Sequence, residues 1–355
     1  MKKSTIILLP LAFLLVSCST NGSDEETETT DVPQATDNTE ILTENLEIPW
    51  AIEKDNDTFY MTEREGTIVQ LTDGNLNRQQ AVLDEPVSTA SEAGLLGFVL
   101  APDFSETNEA YAYYTYENEE EQFNRIVRLH LDDGQWQEVE VLIDRIPSGP
   151  YHHGGRLKIG PDDMLYATTG DAADPEIAQD LDSLGGKILR LNFDGSIPED
   201  NPFQNSYVYS YGHRNSQGIT WTEDGEMYAS EHGDNANDEV NLIEAGENYG
   251  WPQIEGEEGQ EDMVTPLFTS GEDETWAPAG VTYTDEKLYV AALRGSAVLA
   301  FDLVSNEVQT VTSDFGRIRD TYIEGDDLYF ITNNLDGRGS GSEGDDQLIK
   351  MNLSE

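Results

Sequence analysis

The stretch "PDDMLYATTGD", residues 161–171, returns as "EDGEMYASEHGD" at residues 223–234. Both open on an acidic turn, pass through an apolar residue and a tyrosine, and end on Gly-Asp. The same unit recurs as "DNDTFYMTE" (55–63), "TNEAYAYYTY" (107–116), "TDEKLYVAALRG" (284–295) and "EGDDLYFITNN" (324–334). Tyr60, Tyr111, Tyr166, Tyr228, Tyr289 and Tyr329 mark equivalent positions, roughly 40 to 60 residues apart. After most copies comes a second alternating run, such as "GTIVQLTDG", "GKILRLNFDG" or "DQLIKMNL". Alternation with period two, in β-branched and aromatic residues bounded by turn formers, specifies strands. A repeat of this length built from short strands predicts an all-β chain, a six-bladed β-propeller with four-stranded antiparallel blades. A sandwich or two separate β domains would not require one unit six times.

Outward from the repeats, the chain divides unevenly. Residues 1–18, "MKKSTIILLPLAFLLVSC", have a charged start, an apolar run and small residues before Cys18, the pattern of an export signal. The run is short for a membrane span. "LVSC" resembles a bacterial lipobox, which implies cleavage before Cys18 and lipidation of its thiol. The protein is then expected on the outer face of the cell membrane, touching it only through that lipid. Cys18 is the only cysteine, so no internal disulfide is available. Residues 19–44 are acidic and poor in large apolar side chains and read as a flexible tether. Residues 45–355 carry the folded domain.

The formal net charge is −52. Such a surface repels phosphate backbones, so nucleic acid is excluded as a partner. A salt-rich habitat would explain the excess, because screening weakens self-repulsion. Against this background the basic residues are informative. Four of the five histidines lie in loops: His152 and His153 in "YHHGGRL", His213 in "YGHRNSQG" and His232 in "SEHGDNANDE". Arg214, Arg294, Arg317 and Arg319 lie in loops of separate units. If they share one mouth they form a cationic pocket suited to a compact polyanion, gripped through bidentate guanidinium contacts. The plainer alternative pairs each with a local acid, such as Arg319 with Asp320.

The segment 230–252, "SEHGDNANDEVNLIEAGENYGWP", gathers Glu231, Asp234, Asp238 and Glu239 among glycines, a density of hard oxygen donors that suits Ca²⁺. An acidic chain also produces such clusters by chance. His152 or His153, aimed by the two following glycines, is a candidate general base, with Asp171 as the carboxylate that orients it.

Together these segments resemble the bacterial pyrroloquinoline-quinone (PQQ)-dependent sugar dehydrogenases of the soluble, six-bladed type. The resemblance rests on "IPWAI", "EAGLLGFVLAPDF", "HHGGRL", "GGKILRLNFDGSIPEDNPF", "YGHRNSQGI", "SEHGDNANDEVNLIEAGENYGWP" and "RIRD", from Ile48 to near Gly339. The compact length is similar to the aldose dehydrogenase branch. The resemblance implies oxidation of aldoses at C1 to aldonolactones, with electrons passed to an external acceptor. It implies His152 as base, Asp171 as its support and Arg214 beside the quinone oxygens. Glu92, Asn215, Gln217, Arg294, Arg317 and Arg319 are the further cofactor residues it implies, with His152 and Arg214. Gly233 and Asp234 match positions whose backbone carbonyls bind the calcium that polarises the quinone. Glu231, Asp238, Glu239 and Tyr249 match a second calcium site. Tyr151, Glu92, Arg294 and Asp234 depart from the pattern, where an acid, a glutamine, a lysine and a proline stand. Monomer and homodimer are both compatible with the sequence. A propeller that binds carbohydrate or protein without catalysis is the alternative, since fold alone does not set function.

Overall fold

The computed structural model describes residues 38–118 and 121–354. These lie in the unit Pro33–Glu355. The export signal and the lipidation site at Cys18 lie outside the described residues. Strand β1 covers Thr39–Thr43. It is followed by β2 (Pro49–Asp55), β3 (Thr58–Glu63), β4 (Thr67–Thr72) and β5 (Asn75–Val82). The next run is β6 (Leu95–Leu100), β7 (Glu109–Glu117), β8 (Gln122–Asp132) and β9 (Gln135–Pro147). Then come β10 (Leu157–Ile159), β11 (Leu165–Thr168), β12 (Lys187–Leu191) and β13 (Val208–Tyr211). Strands β14 (Ser216–Trp221), β15 (Met227–Glu231), β16 (Glu239–Ile243) and β17 (Phe268–Thr269) follow. The chain ends with β18 (Pro278–Thr284), β19 (Lys287–Ala292), β20 (Ala297–Asp302), β21 (Val308–Thr312), β22 (Ile318–Glu324), β23 (Asp327–Thr332) and β24 (Leu348–Asn352).

Strands β10–β13, β14–β17 and β18–β21 each form a four-stranded antiparallel sheet in chain order. The first two runs are likewise antiparallel, but Ala81–Val82 pairs in parallel with Trp136–Gln137 and fuses them into eight strands. The last run has only three strands, and β1 supplies the fourth by pairing antiparallel with β24. Residues 39–43 were expected in the tether; "TEILT" is instead a strand, because its threonines and Ile41 fit the open edge of β24. The opening strands touch in a closed circuit: β2 with β6, β6 with β10, β10 with β14, β14 with β18, β18 with β22, and β22 with β2. A circuit of sheets around one axis is a β-propeller.

All six marker tyrosines lie on the second strand of a run, and all are buried. Tyr166 packs against Trp221 and Tyr329 against Phe59 of the next sheet, while Tyr60 meets Phe104 and Tyr111 meets Phe193 in segments outside the strands. Each such pair adds about 0.5–1.5 kcal/mol beyond simple burial. Four of the repeated tyrosines thus join one run to the next.

The axis is closed by polar groups. Arg156 Nη1 meets Asp320 Oδ2 at 2.7 Å, both almost fully buried, and Arg156 Nε donates to the Gln217 carbonyl at 2.9 Å. Asp320 Oδ2 also accepts the Ile52 N–H at 2.9 Å. Three of the opening strands and the segment leading into β10 are thus joined at one point. Gly280 belongs here: a Cβ on it would stand 1.7 Å from Asp320 Oδ1.

Candidate active site

Antiparallel pairing places the start of each opening strand beside the end of the second strand. Leu157 faces Ala167, Ser216 faces Glu231, and Ile318 pairs with Thr332. The segments 151–156, 169–171, 212–215, 232–234 and 316–317 therefore gather at one end of the strands. This is where the unusual residues of the sequence lie.

His152 has φ +66°, and its Nδ1 is 2.7 Å from Asp171 Oδ1. Asp171 is wholly buried, and its other oxygen accepts the Trp251 indole N–H at 2.9 Å. Oδ1 also accepts the Ala173 N–H. An acceptor-only carboxylate fixes the His152 proton on Nδ1, which leaves Nε2 as the free basic nitrogen. Gly170 permits this approach, since a Cβ there would stand 1.9 Å from the His152 carbonyl oxygen. His153 points elsewhere. Its Nδ1 lies 3.1 Å from Ser148 Oγ and 3.3 Å from Asn124 Oδ1, and burial pushes its pKa down to about 4.

Beside this pair is an open cleft walled by Arg64, Arg319, Arg338, Glu92, Asp336, His153 and His232, with Trp50. Arg317 stands behind it, bound to Asp336 at 2.7 Å and donating to the Leu293 carbonyl. Arg338 is paired with Glu92 at 2.6 Å. Arg64 donates to the carbonyls of Ser91 and Ala93, and Arg319 to Gln217 Oε1 and Asn333 Oδ1. Neither Arg64 nor Arg319 has a carboxylate within ion-pair reach among the described residues. Burial holds Arg319 down at about 9, still a cation near neutral pH. Arg319 is buried and Arg64 half-buried; Glu92 and Asp336 on the same wall act on both at longer range, and an anion between the two guanidinium groups would pair with them directly.

A smaller cavity of about 210 Å³ adjoins, sharing His232 and lined also by Arg214, Glu231, Gly233, Glu239, Tyr249 and Trp251. Arg214 sits over the Trp251 ring at 5.1 Å and is 3.0 Å from Asp234. Arg214, Trp251, Asp171 and His152 thus form one continuous contact chain. His153 Nε2, His232 Nε2 and Arg214 Nε are buried without a hydrogen-bond partner. Of the buried side-chain atoms without a partner, these three belong to residues lining the two cavities, where a bound ligand would pair with them. The cleft residues fit a compact, multiply charged aromatic anion such as the tricarboxylated quinone.

Not every expected residue joins them. Arg294 lies on the exposed turn between β19 and β20, outside the cleft wall; Arg317 takes the position against Leu293. Asn215 is buried, and its Oδ1 accepts the Gly154 N–H at 3.0 Å, so it braces the His-Gly-Gly loop. Gln217 does line the cleft.

The acidic residues divide as well. Asp238 is consumed by the N–H groups of Gly233, Trp276 and Ala277 and the Thr275 hydroxyl. The Tyr249 hydroxyl donates to the Leu242 carbonyl and accepts the Glu244 N–H. Glu231 is bonded to His213 Nδ1 and the Arg214 N–H, and Glu239 to the Asn241 amide and the Gly256 N–H, so all four side chains are hydrogen-bonded. Glu231 and Glu239 share the small cavity, and burial followed by repulsion from Glu231 raises Glu239 to about 8. A cation between them would remove that repulsion. Among the described residues no cluster of three or more His, Cys, Asp or Glu side chains is arranged to hold a metal. Backbone carbonyls, including those of Gly233 and Asp234, would have to complete a calcium shell.

Arg64, Arg338 and Trp251 are site residues the sequence reading missed. Arg64 and Arg338 carried a usable signal, since basic residues are scarce here: 19 lysines and arginines against 71 acids.

The family model described as glucose/sorbosone dehydrogenase matches residues 46–344. The chain belongs to the glucose/sorbosone dehydrogenase family. Quinoprotein glucose dehydrogenase B of Acinetobacter calcoaceticus is 34% identical over 250 residues, covering 61% of this chain and 52% of that protein. Aldose sugar dehydrogenase YliI of Escherichia coli strain K12 is 29% identical over 348 residues, covering 85% and 92%. The PQQ-bound aldose sugar dehydrogenase of Streptomyces coelicolor matches with TM-score 0.83 and 36% identity, over 90% of this chain and 99% of that one. The sheets described above are accordingly the β-propeller of the glucose/sorbosone dehydrogenase family.

Proposed function

We propose that the protein is a PQQ-dependent aldose dehydrogenase that oxidises sugars at C1 to aldonolactones. The observation that carries this reading is the gathering of Arg64, Arg319 and Arg338 on the wall of one cleft beside a carboxylate-oriented imidazole. Arg64, Gln217 and Arg319 would hold the quinone, with Trp50 as an apolar wall and Arg317 behind them. When bound, the quinone supplies the hydride acceptor. His152 Nε2 takes the proton of the C1 hydroxyl, and Asp171 holds the Nδ1 proton and stabilises the imidazolium that results. Arg214 contributes positive charge near the site of reduction, where negative charge develops. Burial of Asp171 keeps water from competing for the His152 hydrogen bond.

Calcium is proposed at the Glu231–Glu239 pair and at the neighbouring carbonyls of Gly233 and Asp234; no proton movement depends on it. The closed circuit of opening strands supports six blades around one axis. Export and lipid attachment through Cys18 place the domain outside the cell membrane, and an external acceptor would collect the electrons. The test is dye reduction by the purified protein after addition of PQQ and calcium, across a panel of aldoses. Quinone-dependent bleaching with at least one aldose is expected, weaker when calcium is withheld. No bleaching with any aldose would favour the non-catalytic binding module.

A further inference from the structure

The cleft carries a charge arrangement that its own cations do not require. Loop 335–346, "LDGRGSGSEGDD", is pinned near both ends. Asp336 binds Arg317 through Nη2 and Nε, and Asp345 accepts the Asn334 side-chain amide and the Ser342 N–H. Between the pins, Arg338 stands on a tip flanked by Gly337 and Gly339. Gly337 has φ +85°, and no atom lies within 4 Å of the place a Cβ would occupy. From there the guanidinium reaches across the mouth of the cleft to Glu92, Nη1 to Oε1 at 2.6 Å. Glu92 belongs to a different loop, held in place by the bonds from Arg64 to Ser91 and Ala93. The Arg338 side chain is 59% exposed and the Glu92 side chain 24%.

We propose that Arg338 is a quinone-binding residue held in reserve, latched to Glu92 across the mouth of the cleft and transferred to a carboxylate of the cofactor when it binds. This rests on the PQQ reading of the same site. The Arg338 end of the pair is open to water, which screens it. A bidentate arginine–carboxylate contact in a less hydrated cleft is stronger and directional. Glu92 is the poorer partner once an anion enters, because it repels that anion while Arg338 attracts it. Burial raises the Glu92 carboxyl, but the charge and hydrogen bond of Arg338, with His232 and His153, bring it to about 2. Glu92 therefore stays ionised near neutral pH and does not release Arg338 by taking a proton. The Arg338 and Gly339 N–H groups are held by Asp336 Oδ1, so the exchange is a swing of the Arg338 side chain from a fixed backbone.

The experiment is equilibrium dialysis of PQQ, in calcium, against wild type, Glu92→Gln, Arg338→Ala and the double variant. Thermal melts verify that all four fold. Glu92→Gln removes a repulsive charge and frees the arginine, so binding should tighten about tenfold. Removing Arg338 in the Glu92→Gln background should then weaken binding about tenfold, the signature of direct contact. If Arg338 only neutralises Glu92, its removal in that background changes nothing, and the inference is overturned. If wild type itself binds no PQQ, the parent reading fails and this one with it.

Discussion

At the scale of single residues, the two adjacent histidines divide their labour through different partners. His152 is tied to a buried carboxylate, and His153 to a hydroxyl and an amide. The free form of His153 is favoured by burial, which holds its pKa near 4 against an ordinary 6.5. The unfolded chain therefore binds more protons between those values, and stability falls as pH drops from 6.5 to 4. His153→Gln should lose melting temperature less steeply than wild type across that window, read by circular dichroism. Equal slopes would show that His153 does not contribute. Residue identity in the sequence pointed to Arg319, which the structure places in β22 on the cleft wall, and to the loop of His152, whose next residues line that cleft. It misplaced Arg294 and passed over Arg64. Both follow a strand that ends at the same mouth, and only the direction of the turn, set by packing, separates a cleft residue from a solvated one.

At the scale of elements, the loop between β11 and β12 is organised around a buried lysine. Lys187 Nζ donates to the carbonyls of Ile177, Ala178 and Gly185 at 2.8, 3.0 and 2.6 Å. In the same loop Gln179 donates to the Trp251 carbonyl at 2.7 Å, and Trp251 holds Asp171. The lysine thus braces the support of the base from behind. Lys187→Met would leave several buried carbonyls without a donor and should cost on the order of 3 kcal/mol. A urea midpoint equal to that of wild type would contradict this. Alternation alone marked Lys187 as a strand residue; nothing in "GGKILRL" shows that three carbonyls converge on it. Strand β1 was hidden for a related reason. Residues 39–43 become a strand only by pairing with β24, some three hundred positions away.

At the scale of the molecule, a period carried by six tyrosines was enough to read the architecture. The reason is physical: each copy buries its tyrosine on the second strand of a sheet, so selection on packing writes the repeat into the sequence. Convergence at the mouth follows from antiparallel pairing and was legible as soon as the repeat was. Shape and charge of the cleft were not, because they depend on which loops fold over it. The surface raises a separate expectation. At a net charge of −52, self-repulsion should weaken the fold when ions are scarce. Between about 0.01 M and about 1 M salt the screening length falls from roughly 30 to 3 Å. Urea midpoints should rise across that range, and a flat response would remove the case for salt adaptation.

The central claim is that His152 acts as the base toward a sugar held against a quinone in the adjoining cleft. The most direct measurement is the rate of aldose oxidation by His152→Ala loaded with PQQ, alongside its quinone affinity by dialysis. The account predicts a loss of roughly 10²–10⁴-fold in turnover with quinone affinity nearly unchanged. A variant that retains most of its turnover while fully loaded would contradict it.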